Sequence, residues 1–168
     1  ITMVPVSIWL GGLISQSFLG KYPIEVIHNG IDISVFRIKE NNLRSQLNLE
    51  GKIVVLGVSS NGFSGRKGLT DFHKLANELP SIYQIIMIGL SEEEMKSLPT
   101  NIIGLKRTTN VEELVDYYNL ADVFINPTYS DNFPTTNIEA LACGTPVITY
   151  NTGGSPEAID DLTGYVVQ

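Results

Sequence analysis

Apolar residues along this chain fall into two alternating rhythms. Short runs rich in Val and Ile alternate with stretches whose apolar positions recur every three or four residues. The run Ile53-Val54-Val55-Leu56-Gly57-Val58 is apolar on both faces, the pattern of a strand buried inside a parallel sheet. Strands are predicted at Thr2–Ser7, Glu25–His28, Ile53–Ser59, Tyr83–Gly89, Ile102–Arg107, Val123–Pro127 and Pro146–Tyr150. Helices are predicted at Trp9–Leu19, Leu69–Leu79, Ser91–Leu98, Val111–Ala121 and Pro134–Cys143. Within Val111–Ala121, the residues Val111, Leu114, Val115, Tyr118 and Ala121 mark one helical face. Ser91 and Glu94 have the spacing of a capping box, and Glu92–Glu94 places negative charge where the helix dipole favours it.

Strand–helix alternation of this kind predicts an α/β fold with a doubly wound, Rossmann-like parallel sheet. Ligands of such sheets sit at the carboxyl ends of the strands. The loops of interest are therefore Ser60–Gly68, Thr108–Asn110, Thr128–Phe133 and Asn151–Ser155.

Composition narrows the partners. The chain has 168 residues, 43% of them hydrophobic and 17% charged, with a net charge of −7. That is a globular composition, and the acidic balance disfavours nucleic acid and anionic lipid. Cys143 is the sole cysteine, so an internal disulfide is excluded, as suits a reducing compartment. No apolar run is long enough to span a membrane. The chain opens on Ile1, and Thr2–Ser7 reads as a strand with no partner before it, so the sequence is expected to be part of a longer protein.

Four loops could carry chemistry. Ser59–Gly68 follows a central strand and holds three glycines with Arg66 and Lys67; it suits a diphosphate, or is a flexible loop with two solvated cations. It fits neither the Walker A spacing nor G-x-G-x-x-G, which argues against a dehydrogenase. Asp131-Asn132-Phe133-Pro134 leads into a helix that carries Glu139, with Pro134 expected at its first position. The two carboxylates suit hydroxyl pairs on a sugar and a ribose; the plainer reading is a helix cap and a surface charge. Thr152-Gly153-Gly154 is a tight turn that permits close approach. His28, before Asn29-Gly30, reads as a structural histidine, His73 as a surface residue and Cys143 as a small buried one. The two histidines and one cysteine offer no metal-ligand spacing.

Taken in order, these segments resemble the C-terminal domain of the group 1 glycosyltransferases, a retaining family of GT-B fold. The resemblance rests on Val26-Ile27-His28-Asn29-Gly30-Ile31-Asp32 and Phe36, on Arg66-Lys67-Gly68, and on Ala121-Asp122-Val123-Phe124-Ile125-Asn126-Pro127-Thr128. Glu139-Ala140-Leu141-Ala142-Cys143-Gly144-Thr145-Pro146-Val147 and Thr152-Gly153-Gly154 complete it. It implies that residues 21–168 form a donor-binding domain, the C-terminal half of a GT-B fold. Residues 1–20 would then end a preceding acceptor domain or link to it. The implied donor is a nucleoside-diphosphate sugar, used without cofactor or metal. The implied acceptor is a glycan or lipid-linked glycan, met by the other half. The implied setting is the cytoplasm, with any contact at the inner face of the membrane made through that other half, in cell-surface polysaccharide or glycoconjugate synthesis.

The resemblance also implies roles. Arg66 and Lys67 would neutralise the departing diphosphate. Asp131 stands where the family's E-x7-E pattern has its first glutamate, which contacts the transferred sugar, and is one methylene shorter. Glu139 would hold the ribose, and the amides of Asn132, Phe133 and Thr135 the sugar or phosphate. Ser59 and Gly62 would belong to the donor site, and the backbone at Lys106 and Arg107 would meet the base. The family's arginine near Val58-Ser59 is absent, and Arg66 is the candidate substitute. The rivals are a nucleotide-sugar epimerase of the same fold and a non-catalytic nucleotide-sugar-binding domain.

Overall fold

Ile53–Val58 forms β1, and it sits where its all-apolar sequence requires, in the middle of a sheet. A computed structural model describes all of residues 1–168. Six parallel strands run in the order β3-β2-β1-β4-β5-β6, namely β2 (Tyr83–Ile88), β3 (Ile102–Leu105), β4 (Val123–Asn126), β5 (Val147–Tyr150) and β6 (Gly164–Val167). The helices are α1 (Ile8–Ser15), α2 (Leu43–Gln46), α3 (Leu69–Glu78), α4 (Glu92–Lys96), α5 (Val111–Leu120) and α6 (Thr135–Ala142).

The two faces of the sheet carry separate cores. Val54, Leu56, Ile86 and Phe124 point to one side, where α5 and α6 bring Val115, Tyr118 and Ala140. Val55, Ile85 and Met87 point to the other, against Phe63, Phe72 and Ala76. Successive side chains of one strand thus feed opposite cores. The strand order reverses between β1 and β4, and at that point the sheet opens a crevice.

Most predicted elements end within a residue or two of the observed ones. The capping box forms: Ser91 Oγ accepts from Glu94 N, and Glu94 Oε2 accepts from Ser91 N. Other expectations need correction. Thr2–Ser7 and Glu25–His28 are not strands of the sheet. Thr2–Ser7 pairs instead with residues 24–27, through a parallel bridge between Met3 and Ile24 and hydrogen bonds from the Glu25 and Ile27 amides to the Met3 and Pro5 carbonyls. Pro5 and Pro23 lack the N–H donors a ladder needs. The predicted helix Trp9–Leu19 is the shorter α1, capped by Ser7, and the Ser15 and Ser17 hydroxyls turn back to the carbonyls of Gly12 and Ile14. Pro134 caps α6 rather than occupying its first turn. The strand β6 and the four-residue α2 were not predicted. No helix is long and apolar enough to cross a membrane.

Candidate functional site

The crevice at the switch point holds a cleft of about 430 Å³. Val58 and Ser59 from the end of β1 form one wall, with Ser60 and Lys67 from the loop that follows. Asn126, Asp131, Phe133, Pro134, Thr135, Thr136 and Glu139 form the other, from the end of β4 into α6, and Leu114 of α5 closes a side. A smaller cavity of about 110 Å³ adjoins it, lined by Arg66, Lys67, Ser130, Asp131 and Asn132.

Both carboxylates are anchored. Lys67 Nζ lies 2.6 Å from Asp131 Oδ2, so the loops on opposite walls meet in an ion pair. The Tyr118 hydroxyl donates to Glu139 Oε2 at 2.9 Å. Tyr118 is fully buried, and burial, reinforced by the charge of Glu139, raises its phenol well above the ordinary tyrosine range. It therefore stays protonated and fixes one oxygen of Glu139, while the other has no partner within the chain. Sequence reasoning placed Tyr118 on an apolar face and missed this contact. The usable signal was that a buried tyrosine needs a partner for its hydroxyl.

The turn before α6 is rich in free donors. The backbone N–H groups of Asn132, Phe133, Thr135 and Thr136 donate to nothing in the chain. Four unpaired amides at a helix start make an anion-binding surface. Beneath them lies a buried polar network. Asn126 Nδ2 donates to Asn137 Oδ1 at 2.8 Å, Asn137 Nδ2 to the Ser155 carbonyl at 3.1 Å, and Thr149 Oγ1 to the Asn126 carbonyl at 3.0 Å. Behind the turn, Gly154 N donates to the Asp131 carbonyl at 3.0 Å. A Cβ on Gly153 would lie 2.1 Å from that carbonyl oxygen, and one on Gly154 would lie 1.9 Å from the Asn132 oxygen. The Gly-Gly pair therefore works as a close-fitting support for the carboxylate turn.

The structure brings together Asp131, Lys67, Glu139, Phe133, Thr135 and Ser59, with Arg66 and Asn132 in the adjoining cavity. It does not bring Gly62, Lys106 or Arg107 to the wall. Gly62 is buried with φ +82° against Glu94. Lys106 and Arg107 are exposed, and Lys106 pairs with Glu92 at 2.6 Å. His28 is the unexpected neighbour: its ring stacks on Phe133 at 4.7 Å, and Nε2 lies 3.0 Å from Glu157. Glu157 also accepts from the Ile8 and Trp9 amides at 2.7 and 2.8 Å. Burial acts to raise its pKa, but these hydrogen bonds prevail and lower it. His73, expected at the surface, is half-buried, and its Nε2 has no partner. Cys143 is buried as expected, and burial raises its thiol to about 11. No three His, Cys, Asp or Glu side chains converge as a metal site would require.

A separate cavity of about 350 Å³ lies on the other face, between α3 and β4–β6. Leu75, Ile125, Pro127, Ile148 and Val167 make it largely apolar, and it offers none of the free amides an anion would need.

Residues 39–168 match the family model described as glycosyl transferases group 1. The D-inositol 3-phosphate glycosyltransferase of Mycobacterium sp. (strain KMS) is 31% identical over 162 residues, covering 86% of this chain and 36% of the relative. The alpha-galactosylglucosyldiacylglycerol synthase of Streptococcus pneumoniae (strain ATCC BAA-255 / R6) is 33% identical over 118 residues, covering 63% of this chain and 31% of the relative. The chain thus spans about a third of the length of these relatives. Among solved structures, sucrose-phosphate synthase from Thermosynechococcus elongatus superposes with a TM-score of 0.84 at 26% identity, over 99% of this chain and 45% of that one. Anabaena HepE, solved with UDP and glucose, gives 0.81 at 19% identity, over 98% and 48%.

Proposed function

The chain belongs to the group 1 glycosyl transferases, and from that we propose that its cleft binds a nucleoside-diphosphate sugar for transfer to an acceptor hydroxyl. The observation that carries this reading is the convergence of cations, free amides and two carboxylates at the switch point of the sheet. A diphosphate needs the first two, and ribose and sugar hydroxyls need the third.

In this reading Glu139, with one oxygen tied to Tyr118, accepts from the ribose hydroxyls. The amides of Asn132, Phe133, Thr135 and Thr136 and the side chains of Lys67 and Arg66 meet the diphosphate. Lys67 leaves Asp131 as it turns to the phosphates, and Asp131 is freed to accept from a sugar hydroxyl. As the bond between the anomeric carbon and the diphosphate oxygen breaks, charge grows on that oxygen, and the cations and amides stabilise it. The acceptor oxygen attacks the anomeric carbon from the same face and passes its proton to the departing diphosphate. Configuration is then retained. The acceptor, a glycan or lipid-linked glycan, and any contact with a membrane belong to parts of the longer protein; the glycolipid named for the pneumococcal relative supports that class of product.

The test is a calorimetric titration of UDP, GDP, ADP and their common sugars, with Lys67→Ala and Glu139→Ala alongside. Binding of one nucleotide, weakened about tenfold or more in each variant, is the expected outcome. Binding that neither variant changes would overturn the assignment of the cleft.

A further inference from the structure

Glu94 is a buried carboxylate that the proposed chemistry does not use. It is 4% exposed and has no cationic partner. It lies on α4, outside the cleft, and reaches into the turn of the Ser59–Gly68 loop. Oε1 accepts from Phe63 N at 2.7 Å, from Ser64 Oγ at 2.8 Å and from Ser64 N. Oε2 accepts from Ser91 N at 2.8 Å. A capping box needs only the last of these contacts. The other three tie two separate segments of the chain together through one ionised group.

The loop is shaped around this carboxylate. A Cβ on Gly62 would approach Glu94 Oε2 to 2.9 Å, at a φ of +82° that side chains rarely adopt. Gly62 N donates to the Gly89 carbonyl, and Ser59 Oγ donates to the Gly62 carbonyl. Phe63 drives its ring into the core edge-on to Phe72, with centroids 5.4 Å apart. Gly65–Lys67 follow at once as a single turn of 3-10 helix that presents Arg66 and Lys67 to the two cavities. With Phe63 anchored on one side and Glu94 on the other, the turn has little freedom left.

Burying a carboxylate beside a loop that receives a diphosphate carries a cost in repulsion, so bare electrostatics does not explain its place. Pre-organisation does. A loop already fixed in its binding shape loses less entropy when the ligand arrives. We propose that Glu94 is a positioning residue for the phosphate-binding loop: through the amides of Phe63 and Ser64 it holds Arg66 and Lys67 in the geometry that receives the diphosphate. This rests on the donor-binding reading above. It also accounts for Gly62, where any side chain would collide with the Glu94 carboxylate.

Glu94→Gln tests it. The amide offers one acceptor oxygen and so cannot serve both the Ser91 amide and the Phe63–Ser64 turn. Ile86→Val, a core change in β2 remote from the loop, serves as a control for lost stability alone. Affinities of the 168-residue chain for UDP, GDP and ADP are measured by calorimetry at a temperature where circular dichroism shows all three proteins folded. The expected result is that Glu94→Gln binds the preferred diphosphate about tenfold more weakly than wild type, while Ile86→Val binds as wild type does. Equal affinity of Glu94→Gln and wild type overturns the positioning role and leaves the donor reading intact. A similar loss in Ile86→Val overturns it too, since the effect would then follow stability. A wild-type chain that binds none of the three diphosphates overturns the donor reading itself, and this inference with it.

Discussion

The loops Ser59–Gly68 and Thr128–Pro134 face each other across one cleft, but different chemistry fixes each. The first is clasped by a single ionised group, Glu94, aided by the anchored ring of Phe63. Apart from the Lys67–Asp131 ion pair that joins the two, the second rests on neutral supports: the Gly153-Gly154 pair behind it and the Asn126–Asn137–Ser155–Thr149 network beneath. One scaffold depends on charge and hence on pH. The other depends on fit. The lesson is that a binding wall can be made rigid either way, and that the two walls of this cleft should fail under different insults.

The largest effect is expected at the glycine pair. Gly153→Ala should destabilise the chain by about 3–4 kcal/mol in urea unfolding, since the new Cβ meets a backbone oxygen at a left-handed φ. The clasp should answer to acid instead. Hydrogen bonds from Ser91, Ser64 and Phe63 outweigh burial and bring the Glu94 carboxyl from 4.5 down to about 2. Because the folded value lies below the unfolded one, the stabilisation is complete above pH 4.5 and is lost as pH falls towards 2. The shift corresponds to about 3 kcal/mol. Glu94→Gln should therefore be less stable than wild type at neutral pH, with the gap closing between pH 4.5 and 2. Gly153→Ala should show no such convergence, and a pH-independent gap for Glu94→Gln would erase the contrast between the walls.

Smaller effects sharpen it. Asn137→Leu strands the Asn126 amide and the Ser155 carbonyl, at a cost of about 2 kcal/mol in urea unfolding. Tyr118→Phe removes one hydrogen bond to Glu139 and should weaken nucleotide binding by about 1 kcal/mol or less with little change in fold, as read by calorimetry.

Much of this was legible in the sequence. The unbroken apolar run of β1 and the regular alternation announced the parallel sheet, and the sheet told where to look for a site. Asp131 and Lys67 could be named because they lie on loops that follow strands, and Glu139 because it lies on the helix that such a loop leads into. What could not be read was pairing across sequence distance. Nothing local says that Glu94 serves residues 63 and 64, that Tyr118 reaches Glu139, or that His28 stacks on Phe133. Ser91 and Glu94 showed the capping box and concealed the clasp built on it. Gly62 looked like a ligand contact because a glycine in a loop permits close approach, but the group that approaches is a side chain of the same protein. The strand β6 was missed because Gly164-Tyr165-Val166-Val167 is too short to show a period.

The proposed function requires the donor to bind at the β1/β4 switch point and not in the apolar groove on the opposite face. Amide NMR of the 15N-labelled chain, titrated with the preferred nucleoside-diphosphate sugar, tests this most directly. The expected result is that the amides of Ser59, Ser60, Asn132, Phe133, Thr135 and Thr136 shift together and saturate. Shifts confined to Leu75, Ile148 and Val167 around the groove, or no shifts at all, would contradict it.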